Sequence, residues 1–533
     1  MARLFLGIRG NRQIVRVAGM NKEQHLMANK KIFASAAAVQ NHAGGKAFGK
    51  SDEQALVQYV MTGTFNDTFY VTGESQLTEV LARASQVPDE FLAKLAIYGR
   101  EKGMMKDMPA LLCALLVARG SGHSEAVFKR VIDNARMLRN FVQMLRSGVV
   151  GRKSLGSRAK RLVKGFIASL NDYALWEASV GNAPSLVDVM KLAHPKAKDE
   201  RRNALYAYVM GKPVDAALLP DFIREYEAFL AGKSKAAPLR APFQKLTALP
   251  LGTEDWMRIA TNARWTMTRI NLNTFARHGV LRNPQMISMI AERLADREQI
   301  IQARAFPYQL MTAMLNIGDE VPGEIRAALE KAMQVALENV PAFDDDSLVL
   351  AIDVSGSMGN PVTGRQTAAT SKVTCLDAAA LIGAALRAKN PSAKILAFEY
   401  GCREVVVPHD CKVMTIAQKI KAYHGGGTNC GSVIQYLLDH GIKTNNLILV
   451  SDNESWADGY RSDLSTLWAK YKRDCAPEAR MINLDITPNP YSVNAKRADT
   501  LMVGGFSDDV FAVMKAFLAG NTDQVDAVKA VEI

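Results

Sequence analysis

Leu348-Val349-Leu350-Ala351-Ile352-Asp353-Val354-Ser355-Gly356-Ser357-Met358 carries two signals within eleven residues of a 533-residue chain. The opening is a continuous apolar run, which marks a strand buried on both faces. The close sets Asp353, Ser355 and Ser357 at alternate positions just beyond that strand. Further short apolar runs follow at Ile395–Phe398, Leu447–Val450, Ile482–Ile486 and Leu501–Val503. Helical patterns separate them at Thr374–Lys389, Thr415–Ala422, Ser432–His440, Ser462–Tyr471 and Asp508–Leu518. Strands alternating with helices predict an α/β, Rossmann-like domain with a parallel sheet over residues 345–533. Its ligands should sit beyond the carboxyl ends of the strands.

Upstream the texture is different. Amphipathic helical stretches follow one another with short polar connections and almost no β-branched alternation. They include Leu77–Ala84, Asp89–Lys102, Met108–Ala118, Glu125–Asp133, Leu138–Leu145, Leu186–Ala193, Asn203–Met210 and Asp221–Leu230. Glu254–Ala263, Met286–Ala295, Tyr308–Asn316 and Glu324–Leu337 continue the series. Pro88, Pro109, Pro184, Pro220, Pro284, Pro307 and Pro322 stand at or just inside helix starts, where a missing N–H costs least. Such a series predicts a mainly α chain, with an α-solenoid of HEAT-like pairs over 51–340 and an internal loop at Gly232–Pro250. Residues 1–50 read as an N-terminal segment, loosely ordered or packing on the helical repeats, with Asn41-His42-Ala43-Gly44-Gly45 as a flexible stretch.

Composition narrows the classes. At 48% hydrophobic and 22% charged, the chain can bury a core. Its apolar runs are too short to span a bilayer, and Arg9 and Arg12 interrupt Leu4-Phe5-Leu6-Gly7-Ile8, so no secretory signal is read and a cytoplasmic location is expected. Six cysteines without a CxxC pair read as reduced thiols rather than a disulfide or zinc framework. Residues 341–533 hold 19 basic and 22 acidic side chains, whereas the first 340 hold 47 and 31. All the excess positive charge, +16, therefore lies in the helical part, which points to a polyanion partner for that part alone.

Two constellations carry chemistry. Gly425-Gly426-Gly427-Thr428-Asn429 can bring a hydroxyl toward the first strand end, and the third strand runs into Ser451-Asp452-Asn453-Glu454. Asp353, Ser355, Ser357, Thr428 and Asp452 together offer few charges and several hydroxyls, a donor set suited to one divalent cation, Mg²⁺ rather than calcium. The set resembles the metal-ion-dependent adhesion site (MIDAS) of von Willebrand factor A domains. An unmetallated A-like domain whose serines cap a helix stays open as the alternative. No P-loop, GxGxxG, nucleophile elbow or general base with its partners is found, so no enzyme is expected. The second constellation is Gly151–Phe166, which holds six basic residues and no acid. On a helix over Ser157–Leu170, Leu162, Val163, Phe166 and Leu170 share one side. Lys160, Arg161 and Lys164 project from the other, with Arg158 at its margin and Arg152 and Lys153 flanking. His194 and Lys196, on a neighbouring helix, add to this RNA-binding candidate; a solvated face is the alternative.

The order of these features resembles the Ro autoantigen family of TROVE-module proteins. Ala43-Gly44-Gly45, Ser51–Leu56 and Thr68-Phe69-Tyr70 resemble the module's opening, and Asp107–Leu112 one of its helix starts. Gly151-Arg152 and Leu192–Lys196 resemble its RNA-binding surface. Gly426–Cys430 and Ser451–Trp456 are close to its A-domain strings. Asn66-Asp67-Thr68, Thr268–Leu272 and Phe306-Pro307 depart from the family's pattern on the inner surface. The resemblance implies a monomeric ring of helical repeats closed by the A domain. It implies Y-like small noncoding RNA on the basic outside and single-stranded 3′ ends of misfolded RNA through the hole. An exoribonuclease such as polynucleotide phosphorylase is an implied partner. The expected function is a non-enzymatic scaffold in RNA quality control; the alternative is a metal-dependent protein–protein adaptor that captures an acidic partner residue.

Overall fold

A computed structural model describes residues 38–181, 184–343, 345–362, 373–457, 463–505, 509–519 and 523–533. Most of the expected N-terminal segment, including Leu4–Ile8, lies outside the described residues, as do the expected first residues of two helices, Ser462 and Asp508. The described chain forms two compact units. One gathers the residues up to Pro88 with Pro341–Ala530, and the other Asp89–Val340 with Val531–Ile533.

In the first unit, strands β1 (Ala38–Gln40) and β2 (Lys46–Gly49) precede β3 (Val349–Asp353), β4 (Lys394–Phe398) and β5 (Cys402–Glu404). Then come β6 (Asn446–Ser451), β7 (Arg480–Asp485), β8 (Tyr491–Ser492) and β9 (Thr500–Gly504). The main sheet has the order β5-β4-β3-β6-β7-β9 and is parallel except for β5, a short antiparallel edge the sequence reading did not foresee. All five expected strands are present, each buried, because helices cover both faces. The chain leaves β3 toward β4 on one side and returns to β6 on the other. The switch point therefore lies at the carboxyl ends of β3 and β6.

One expectation about the amino-terminal part needs correction, the flexible stretch Asn41–Gly45. Asn41–Gly45 is the turn of an antiparallel hairpin, and β1, β2 and β8 form a second sheet. The compact units part at 340/341 and at 88/89, so residues 38–88 group with the α/β unit. The helix Asp52–Thr62, with Ala55 to Thr62 all buried, packs on β9 and on the helix Gln524–Lys529 of the α/β unit. A helix apolar around its whole girth must be covered on every side.

The second unit is helical, with every expected helix present within a few residues of its expected ends. Ala135–Ser147 shows how the sequence makes one. Asn134 caps its start by accepting the Met137 N–H at 3.0 Å. Met137, Leu138, Phe141, Val142 and Leu145 form the buried stripe, and Gly148 ends it at φ 92°. Pro284 and Pro307 open their helices as first residues. The expected loop Gly232–Pro250 contains the short helix Phe243–Leu246. All six cysteines are free thiols, and no helix among the described residues is long and apolar enough to cross a membrane.

Candidate functional site

At the switch point the register sets Ile352 of β3 beside Val450 of β6, so Asp353 and Asp452 emerge from neighbouring strand ends. Asp353 accepts the Ser355 N–H at 2.9 Å on Oδ1 and the Ser451 hydroxyl at 2.6 Å on Oδ2. Thr428 Oγ1 donates to Ser355 Oγ at 3.0 Å, and Ser355 Oγ lies 3.3 Å from Ser357 Oγ. The Ser357 side chain in turn hydrogen-bonds Asp452. The five residues expected from the sequence thus form one connected group. The glycine turn delivers Thr428: Gly425 N–H donates to the Val354 carbonyl at 2.9 Å and Gly356 N–H to the Gly426 carbonyl at 3.0 Å. Gly426 sits at φ 71°, and a Cβ on Gly427 would lie 2.6 Å from the rings of Tyr400 and Trp456. Side chains at these positions would push the loop off the site.

The electrostatics fit a cation. Asp353 is fully buried and Asp452 only 4% exposed. Burial raises the pKa of both; the charge of Asp353 raises Asp452 further, while hydrogen bonds from Ser355 and Ser451 pull Asp353 back. Among the described residues neither forms a salt bridge, and no three His, Cys, Asp or Glu converge anywhere. Two desolvated carboxylates with three hydroxyls are a hard-oxygen set, with no place for zinc chemistry.

Sequence reasoning missed what holds the Asp452 loop. The β1–β2 turn grips it: Asn41 Nδ2 donates to the Ser455 carbonyl at 2.6 Å, and the Ala43 N–H to Glu454 Oε2 at 3.2 Å. His42 Nδ1 lies 3.0 Å from Glu454 Oε1, and the Tyr491 hydroxyl also donates to that carboxylate. A Cβ on Gly45 would lie 1.9 Å from the Ser455 carbonyl oxygen, so only glycine permits this approach. Beneath the loop, Lys50 Nζ meets Asp485 Oδ2 at 2.7 Å with both side chains buried, and Asn453 Nδ2 reaches the same oxygen at 3.1 Å. Ala43-Gly44-Gly45 was visible in the sequence as a motif, but nothing local named its partners.

The basic helix runs Gly156–Ser169 and buries Ala159, Leu162, Val163 and Ile167; Ile167, not Phe166, completes the apolar face. Lys160 is exposed, Lys164 half-buried, and Arg152 and Lys153 are exposed in the preceding loop. Two arginines are less available than expected. Arg158 Nη1 donates to the Ser121 carbonyl at 2.8 Å and to Ser124 Oγ at 3.2 Å. Arg161 meets Glu125 at 3.1 Å, an acid supplied by the helix Ser124–Val131, and Glu125 also pairs with Lys129. The stripe is acid-free along its own helix but not across the groove. The helix Leu186–Ala193 packs alongside. His194 is its left-handed cap (φ 54°), rather than part of the helix, and Lys196 follows in the loop; both are exposed.

Residues 347–518 match the family described as the Ro60 vWA domain. The RNA-binding protein RO60 of Deinococcus radiodurans is 26% identical over 516 residues, which is 90% of this chain and 95% of that protein. The protein of the same name from Caenorhabditis elegans is 24% identical over 245 residues, 44% of this chain and 37% of that one. The crystal structure of the D. radiodurans RO (RSR) protein has the same fold, with a TM-score of 0.60 at 22% identity, covering 89% of this chain and all of that one. Along nearly its whole length, then, this chain resembles the Ro60 proteins, and its residues 347–518 form a Ro60-type von Willebrand factor A domain.

Proposed function

We propose that this protein is an RNA-binding scaffold that holds structured, Y-like small RNA on its basic helix and takes single-stranded 3′ ends of misfolded RNA for quality control. The observation that carries the reading is the grouping of Arg152, Lys153, Lys160 and Lys164 on one stretch of surface, with no acidic partner among the described residues. Cationic side chains left unpaired are what a phosphate backbone neutralises, with release of counterions. An A-form helix presents its backbone and shape, because its deep major groove excludes side chains. Arg158, Arg161, His194 and Lys196 border the same surface.

In this reading the A domain does no chemistry on RNA. Asp353, Ser355, Ser357, Thr428 and Asp452 would hold one Mg²⁺, which would supply an electrophilic anchor for a carboxylate. An acidic side chain of a tethered exoribonuclease, polynucleotide phosphorylase or another, is the ligand of choice. This chain's own residues fix the donors through Ser451 and the glycine turn. In this reading RNA decay is the tethered enzyme's work.

The test is protein purified from cells at low salt. It should carry nucleic acid, read as a high 260/280 nm absorbance ratio, and lose it on a high-salt wash. Sequencing of crosslinked RNA should return small structured species. Protein that emerges free of nucleic acid at low salt, and yields no crosslinked RNA, contradicts the proposal.

A further inference from the structure

The cleft beside the oxygen cluster has a second wall that the metal motif does not supply. Ser357, Asp452 and Glu454 line one side, and Thr62, Thr64, Thr68, Phe69 and Tyr70 of the same unit line the other. The second wall is a pinned turn. The Thr68 N–H donates to the Val71 carbonyl at 2.8 Å, and the Val71 N–H donates back to Thr68 Oγ1 at 3.1 Å. Asp67 accepts the Gly73 N–H at 2.8 Å, and a Cβ on Gly73 would lie 2.3 Å from the Phe65 carbonyl oxygen. Phe69 braces Tyr70 edge-on, with ring centroids 4.6 Å apart. The Tyr70 side chain is thereby set against Ser357, within reach of the charges of Asp452, Glu454 and Asp353.

We propose that Tyr70 is a built-in cover of the metal site, closing the approach to a cation held beside Ser357 and Asp452 and limiting which anions reach it. The proposal rests on the metal reading of Asp353, Ser355, Ser357, Thr428 and Asp452. A partner carboxylate then reaches the cation only when the Thr68–Val71 turn gives way, so the A domain's affinity for acidic partners is set partly by a residue outside it in sequence. A site that is open one-tenth of the time binds about tenfold more weakly than the same site left open.

The test uses the full chain with Mn²⁺ as the metal probe and acetate as the carboxylate probe. Free Mn²⁺ is counted by its paramagnetic resonance signal, and metal-bound exchanging water by proton relaxation. Tyr70→Ala should bind one Mn²⁺ with an affinity close to that of the wild type. It should show faster water relaxation and acetate binding about tenfold tighter. Tyr70→Phe, which keeps the ring and its packing, should stay near the wild type in both. If Tyr70→Ala binds Mn²⁺ but relaxes water and binds acetate like the wild type, the cover is overturned and the metal reading stands. If acetate binds more weakly to Tyr70→Phe, the phenol helps the carboxylate and the cover is likewise overturned. If neither wild type nor variants bind Mn²⁺, the metal reading fails and the cover falls with it.

Discussion

Asp353 and Asp452 sit where two carboxylates would not ordinarily be left. Both are desolvated and each feels the other's charge, and among the described residues no lysine or arginine pairs with either. A divalent cation would resolve that conflict by holding both in their ionised form. Asp353→Asn keeps the shape and removes one charge. It is expected to bring bound divalent metal to background by elemental analysis, while the metal-free protein melts no earlier than the metal-free wild type. Wild-type metal content in that variant would contradict the assignment. Lys50 and Asp485 make the opposite case, a buried pair already matched at 2.7 Å. Lys50→Met strands a buried carboxylate and should cost about 3–5 kcal/mol in a urea melt of the A-domain transition. Adding Asp485→Asn should recover most of that loss. A single variant as stable as the wild type would show that the pair contributes nothing to the unit.

At the scale of elements, the basic helix and its neighbours divide the positive charge between binding and architecture. Arg139 donates to the carbonyls of Ala178 and Val180, Arg202 to those of Ile167 and Leu170, and Arg293 to those of Ala260 and Thr261. These guanidinium groups satisfy carbonyls at helix ends, where the backbone lacks partners. The +16 of the first 340 residues therefore overstates the surface open to a polyanion. Glu125 makes the same point on the stripe itself, since it holds Arg161 at 3.1 Å. Glu125→Gln should tighten RNA binding several-fold at low salt, with the gain fading as salt rises; unchanged affinity in a filter-binding titration would mean Arg161 takes no part. What the sequence made legible follows from this physics. Helices and strands announced themselves because each buries a stripe or a run, and the five oxygen donors did because strand ends fix their spacing. The β1–β2 hairpin did not. Asn41–Gly45 reads as a loop, and its order comes from Glu454, Ser455 and Tyr491, more than 400 residues away. Tyr70 stands in the sequence only as one residue of Thr68-Phe69-Tyr70, because its place opposite Ser357 is a product of the fold.

For the molecule as a whole, charge and chemistry are separated along the chain. The helical unit carries the cationic surface, and the α/β unit, which has drawn residues 38–88 into its own structure, carries the oxygen cluster. Loss of metal should therefore leave RNA binding intact, and loss of the basic helix should leave metal binding intact. The helix Gly156–Ser169 is expected to grip RNA by its phosphates. The most direct measurement is the affinity for a structured hairpin RNA as a function of salt, for the wild type and for the combined Lys160→Ala, Arg161→Ala, Lys164→Ala variant. The slope of log affinity against log salt should fall in magnitude by about two units, one for each lysine without an acidic partner, with weaker binding at every salt concentration. Equal affinity and an equal slope in the two proteins would make the stripe a solvated helix face and contradict the account.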